Sequence, residues 1–249
     1  MIIDKVEILP GEEKTIKLNV GNLPSGGKME LQIMVFRSPN PGPTVLLLGG
    51  LHGDEINGVE IIRQIVANGY NKPEKGMVIC IPVVNIFGFL NQSRQFPDGR
   101  DLNRVFPGTK RGSLASIFAY NLMNEIVPLA DYCLDFHTGG AERFNAAQIR
   151  VNQEDEESLE LAKVFGAPFI IKSKRLAKSY RDSAIKAGKK VLLYEGGKSL
   201  DLDETITKVG VNGALRLMHH LNMRDFSKEL ATKSKKKIEP PRCRKSNIS

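Results

Sequence analysis

The sequence predicts an α/β domain with a mostly parallel, mixed central sheet and helices on both faces. Three observations lead there. The stretches "TVLLLGG" (44–50) and "GMVICIPVVN" (76–85) are near-continuous apolar runs, the pattern of strands buried on both sides. Between them lies "INGVEIIRQIVANG" (56–69), whose apolar residues recur at helical spacing. The same alternation of strand-like and helix-like stretches then repeats as far as Leu221, which implies crossover helices covering a parallel sheet.

Residues 1–40 stand apart from this pattern. "KTIKLNV" and "MELQIMVF" alternate apolar with polar positions and flank the turn-rich "GNLPSGGK", so they read as an antiparallel pair packed on the main domain. The main domain is expected over 41–226. After the first strand, helix, strand unit, "SLASIFAYNLMNEIVPLA" (113–130) reads as one helix, "YCLDFH" (132–137) as a strand and "AAQIRV" (146–151) as another. "EDEESLELAKVFG" (154–166) reads as a helix with an acidic first turn. The strand "PFIIK", the helix "AKSYRDSAIKAG" (177–188), the strand "KVLLYEGG" (190–197) and the helix "DETITKVGVNGALRLMHHL" (203–221) complete the series.

Composition narrows the function classes. A 249-residue chain that is 41% hydrophobic and 26% charged suits one sizeable globular core, and no window approaches the ~18 apolar residues of a membrane helix. The first residues, "MIIDKVEILPGEEK", lack the basic and apolar regions of a secretion signal. Cys80 and Cys133 sit in apolar runs and Cys243 in a polar tail, with no paired framework or metal-like spacing. A reduced, cytoplasmic protein is expected. The net charge is +8, but 228–249 holds eight Lys or Arg against two Glu and accounts for +6 of it. Residues 227–249 therefore read as a solvated basic tail, without a motif for specific nucleic-acid binding. The glycines match neither a phosphate-binding loop nor a dinucleotide fingerprint.

In open α/β sheets ligands bind beyond the carboxyl ends of the strands. Three such ends carry chemistry here: "TVLLLGG" runs into "LHGDE", "YCLDF" into "HTGG" and "KVLLY" into "EGG". His52 and Glu55 lie three residues apart on a tight turn, and His137 comes from a second strand end. Two histidines and a glutamate are a known catalytic zinc set that leaves a position for water. The plainer alternative for each is a hydrogen-bonded loop residue. Asp135, two residues before His137, can hold the far imidazole nitrogen or serve as a buried structural aspartate. Glu195 emerges from a buried strand, where a carboxylate can act as general base, or can form a strand-end salt bridge. Between these ends "SRQFPDGRDLNRVFPG" (93–108) brings three arginines. Beside a metal they suggest an anionic substrate, because a guanidinium binds carboxylates through two parallel hydrogen bonds.

With "GGLHGDE", "GRDLNRVFPG", "DFHTGG" and "LLYEGG" in this order, the sequence resembles the succinylglutamate desuccinylase/aspartoacylase family over roughly 45–221. The resemblance implies a zinc carboxypeptidase-like fold. It implies one zinc ion per chain held by His52, Glu55 and His137, with Glu195 as catalytic base. It also implies that Asn103 and Arg104 hold a substrate carboxylate with Asp101 supporting them, and points to Arg94 and Arg181 as further substrate-binding groups. The expected activity is hydrolysis of the amide of an N-acylated amino acid or similar small carboxylate. The alternatives are a metallocarboxypeptidase acting on short peptides, and a truncated zinc-binding protein without catalysis. Family members continue into a β-rich C-terminal domain, whereas this sequence ends at "KSKKKIEPPRCRKSNIS", so closure of the site and contacts in a homo-oligomer stay open.

Overall fold

The structure is a computed structural model that describes residues 1–22, 26–141, 143–152, 155–231 and 242–245. The expected turn at 23–25, the expected helix start at Glu154 and most of the expected basic tail lie outside the described residues.

Two short strands, β1 (Ile2–Ile3) and β2 (Val6–Glu7), pair with each other and precede the long antiparallel pair β3 (Glu13–Asn22) and β4 (Lys28–Arg37). There follow β5 (Thr44–Gly49), α1 (Ile56–Ala67), β6 (Met77–Ile81), α2 (Ile86–Leu90), α3 (Leu114–Asn121) and β7 (Tyr132–Gly139). The second half supplies β8 (Asn145–Asn152), α4 (Glu156–Phe165), β9 (Phe169–Ser173), α5 (Tyr180–Lys186), β10 (Lys190–Lys198), α6 (Glu204–His220), α7 (Ser227–Ala231) and β11 (Arg242–Lys245). Nine of these strands form one sheet in the order β11-β9-β8-β10-β7-β5-β6-β4-β3. Five neighbouring pairs are parallel and three antiparallel, so the sheet is mostly parallel and mixed, as expected.

The strand period of two explains the layers. In β5, Leu46 and Leu48 join Phe118, Ala119 and Ala184 of α3 and α5 on one face, while Val45 and Leu47 join Ile61, Ile65, Phe165 and Leu215 of α1, α4 and α6 on the other. Both faces are therefore dry, which is why β5 reads as unbroken apolar sequence. The sheet order puts β10, β7 and β5 side by side and parallel, with Glu195 level with His137 and Gly49 level with Phe136. Three chemistry-bearing strand ends thus open on one edge.

Four elements differ from the sequence expectation. The apolar stretch 113–130 is not one helix: α3 ends at Asn121, and a π turn (Leu122–Ile126) and a 3-10 turn containing Pro128 follow. The ring of Pro128 cannot donate a helical hydrogen bond, which is the local reason for the break. The apolar run after 76 yields a strand only to Ile81, because Asn85 then caps α2 by accepting from the Gly88 amide at 2.9 Å. β8 runs antiparallel to β10 on one side and parallel to β9 on the other, so the sheet reverses direction between β10 and β8. Within the tail, Arg242–Lys245 form an edge strand parallel to β9 instead of a wholly solvated end.

Two glycines shape the turn after β5. Gly50 sits at φ +58°, in the left-handed region. A Cβ on Gly53 would lie 1.8 Å from the Gly88 carbonyl carbon and 2.1 Å from the Phe89 nitrogen, so the turn packs directly on the backbone of α2. Gly53→Ala is expected to destabilise the chain by at least about 2 kcal/mol through overpacking against backbone. A denaturant midpoint that falls with unchanged slope would show it, and an unchanged midpoint would refute the close packing.

Candidate metal centre

His52 and Glu55 sit on the turn between β5 and α1, and His137 on β7. One nitrogen from each imidazole and a carboxylate oxygen lie within 4.8 Å of one another, and all three residues are buried. Glu55 stands between the rings: Oε1 lies 2.7 Å from His52 Nδ1, and Oε2 lies 2.8 Å from His137 Nδ1. The Thr138 amide and Arg94 also donate to this carboxylate, each at 3.1 Å. Glu55 is the N-cap residue of α1, yet makes no side-chain cap. A glutamate there forgoes the local bond a cap would give because its carboxylate is committed to the two histidines, a local rule broken where chemistry needs it.

Each histidine has a carboxylate behind it. His52 Nε2 lies 3.2 Å from Asp101 Oδ1, and His137 Nε2 lies 3.0 Å from Asp135 Oδ2. Asp101 Oδ1 also accepts the Asn103 amide at 2.8 Å, while Oδ2 accepts two bonds from Arg94, at 2.9 and 3.1 Å. Arg94 therefore ties Asp101 to Glu55.

The electrostatics follow from burial and pairing. Burial opposes charge on both imidazoles, but the carboxylates outweigh it and raise both pKa values, that of His137 strongly. Burial likewise opposes charge on Glu55 and Asp101, and their cationic neighbours hold both well below the usual carboxylate range. His137 Nε2 and Asp135 Oδ1 are each buried without an aligned hydrogen bond, although Nε2 stands 3.0 Å from Asp135 Oδ2. That orphaned pair, two imidazole donors and a shared carboxylate, with outer nitrogens facing carboxylates, fits a metal ion: ligating histidines are oriented in this way.

Glu195 ends the regular part of β10, level with His137, and its side chain is 14% exposed. Burial raises its pKa, with Arg150 and His137 opposing. Asn145 donates to its Oε2 at 2.5 Å, and an Arg150 nitrogen lies 3.5 Å from the same oxygen.

Beside these residues lies a cavity of about 560 Å³. Its wall includes Glu195, Asp135 and six cations: Arg94, Arg104, Arg150, Lys174, Arg175 and Arg181. Asn103 also lines it, with its amide oxygen accepting from the Tyr180 backbone at 2.8 Å, which turns the NH₂ end to other uses. Arg104 is exposed and donates to the Asn103 carbonyl at 2.8 Å. Arg181 is 6% exposed and donates to Ser173 Oγ and the Lys174 carbonyl, so part of its guanidinium ties down the segment between β9 and α5.

Sequence reasoning missed Arg150, Asn145, Lys174 and Arg175. A faint signal existed for Arg150. In "NAAQIRVN" Gln148 and Arg150 alternate with the buried Ala147, Ile149 and Val151, so both share the face away from that core. What that face meets depends on the antiparallel placement of β8, which periodicity does not encode.

Among the described residues no helix is long and apolar enough to cross a membrane. Residues 41–221 match the succinylglutamate desuccinylase/aspartoacylase catalytic domain. The chain is 32% identical over 212 residues to N-alpha-acetyl-L-2,4-diaminobutyric acid deacetylase of Halomonas elongata, an alignment covering 80% of this chain and 62% of that protein. It thus spans less than two thirds of that relative's length. A crystal structure of a succinylglutamate desuccinylase/aspartoacylase from Rhodobacter sphaeroides superposes with TM-score 0.81 at 27% identity, over 94% of this chain and 71% of that one. A product-bound ectoine utilization protein from Ruegeria pomeroyi shares the fold, with TM-score 0.77 at 23% identity over 94% of this chain and 71% of its own. The sheet is the zinc carboxypeptidase-like one of these neighbours. By the domain match over 41–221 and the identity to the Halomonas protein, the chain belongs to the succinylglutamate desuccinylase/aspartoacylase family.

Proposed function

We propose that the chain is a zinc-dependent amidohydrolase that cleaves the amide of an N-acylated amino acid or a similar small carboxylate. The observation that carries this reading is the register of β10 and β7, which sets Glu195 beside the His52, Glu55 and His137 group at the edge of a cation-lined cavity. Two histidines and one carboxylate are a catalytic zinc set. Bound there, zinc would supply a Lewis acid for the acyl carbonyl and lower the pKa of a water to about 7.

The chain's own groups do the rest. Glu195 accepts a proton from the attacking water and delivers it to the departing amine nitrogen, a role suited to a carboxylate whose affinity for protons burial has raised. Arg104 and the Asn103 amide grip the substrate carboxylate. Asp101 holds His52 and Arg94 in place and acts through them. Arg94, bonded to Glu55 and lining the cavity, supplies positive charge beside the metal group to stabilise the acyl oxygen as charge develops on it. Arg181 adds positive potential from the far wall, and its buried guanidinium keeps the β9–α5 segment in position.

The cations select against neutral ligands. A substrate panel tests the reading: zinc-loaded protein is expected to release free amine from N-acyl amino acids, and to lose activity when the substrate carboxylate is converted to its methyl ester. Faster cleavage of short peptides would favour a metallocarboxypeptidase instead. One equivalent of zinc with no turnover of any substrate would favour a binding protein.

A further inference from the structure

The β10 ladder is regular up to Glu195 on both sides and slips immediately after it. Against β7 the register shifts between Glu195 and Lys198, and against β8 between Glu195 and Gly197. Such irregularities re-aim a side chain and loosen the backbone's hold on it. The orientation of the Glu195 carboxylate therefore depends on what its oxygens touch.

The shortest contact comes from Asn145, the first residue of β8. Because β8 is antiparallel to β10, its beginning lies beside the carboxyl end of β10, with Asn145 level with Gly197. A carboxylate only accepts, so Asn145 must present its NH₂ group, and Nδ2 donates to Oε2 at 2.5 Å. Arg150, five residues along the same strand, approaches the same oxygen at 3.5 Å, a distance of charge pairing and not of a tight bond. Both contacts fall on Oε2 and leave Oε1 for proton transfer.

We infer that Asn145 is a positioning residue that fixes the Glu195 carboxylate by holding Oε2, so that the other oxygen meets the substrate in a constant geometry. The inference rests on Glu195 as the proton acceptor of the proposed reaction. Asn145 itself touches none of His52, Glu55 or His137 among its hydrogen bonds, so its effect is on turnover and not on metal loading.

Crystal structures of wild type and Asn145→Ala, with kinetics on an N-acyl amino acid, test it. In Asn145→Ala the Glu195 carboxylate is expected to rotate or split between conformers, and kcat to fall about 10- to 100-fold, the range lost with outer partners of reactive groups. KM and zinc content are expected to stay near wild type, and Asn145→Gln, which keeps the amide donor, should recover turnover relative to Asn145→Ala. A Glu195 carboxylate that does not move overturns the inference, as does a moved carboxylate with unchanged kcat. Should Asn145→Ala not fold, the near-isosteric Asn145→Leu, which lacks the amide donor and adds no charge, carries the same comparison. If wild type hydrolyses no acyl amino acid, the proposed function fails, while the two crystal structures still decide whether Asn145 orients Glu195.

Discussion

Glu195→Ala is expected to lower turnover by about 100- to 10,000-fold, the range that one well-placed general acid or base contributes. Zinc content should stay at the wild-type level. The two expectations separate because Glu195 stands on β10, whereas the metal group stands on the β5 turn and β7. Folding should also survive. The carboxylate's pKa is raised by burial, so removing it relieves the cost of keeping a charge from water even as Asn145 and Arg150 lose their partner. Turnover by Glu195→Ala comparable with wild type would refute the assignment of this residue as base.

Glu55→Gln is expected to have the opposite profile, with loss of metal before any question of chemistry. Removing an outer partner of a metal ligand costs about 10- to 100-fold in affinity, and Glu55 is itself a proposed ligand, so a loss larger than about 100-fold is expected. Zinc titration of the variant measures it, and wild-type affinity would exclude Glu55 from the ligand set. The metal-free protein should be destabilised as well. Two imidazoles with raised pKa values and Arg94 all face the Glu55 carboxylate, and neutralising it leaves buried positive charge uncompensated.

The same network gives the metal-free protein a pH profile. Glu55 and Asp101 have depressed pKa values, so their stabilisation is present above the ordinary carboxylate pKa of about 4 and is lost as pH falls towards the folded values. His52 and His137 have raised values, so theirs is full below about 6.5 and is lost as pH climbs through the folded values. Stability of metal-free protein is therefore expected to peak between these limits. Zinc binds neutral imidazole, so loading near pH 7 must release protons. Calorimetry in two buffers of different ionisation enthalpy would detect that release, and identical heats would contradict it.

Much of this architecture was legible in the sequence for a physical reason. Strands buried on both faces write themselves as apolar runs, as in Val45 to Leu48, and the loops at their carboxyl ends collect on one edge. His52, Glu55, His137 and Glu195 could therefore be gathered before any coordinates. What the sequence did not carry was relative placement. Arg150 and Asn145 contact Glu195 only because β8 inserts antiparallel beside β10, a long-range pairing that local periodicity cannot specify. Arg175 and Lys174 reach the cavity through the segment between β9 and α5, which lacks a periodic signature. Nor could the sequence show that Glu55 serves both imidazoles while Arg94 braces it and is itself held by Asp101.

The most direct test is a zinc titration of metal-free chain with hydrolysis of an N-acyl amino acid followed at each step. Turnover should rise from background with added zinc, reach a plateau at one equivalent per chain and vanish again on chelation. Turnover indifferent to the metal, or one equivalent of bound zinc without amide cleavage, would contradict a zinc-dependent amidohydrolase.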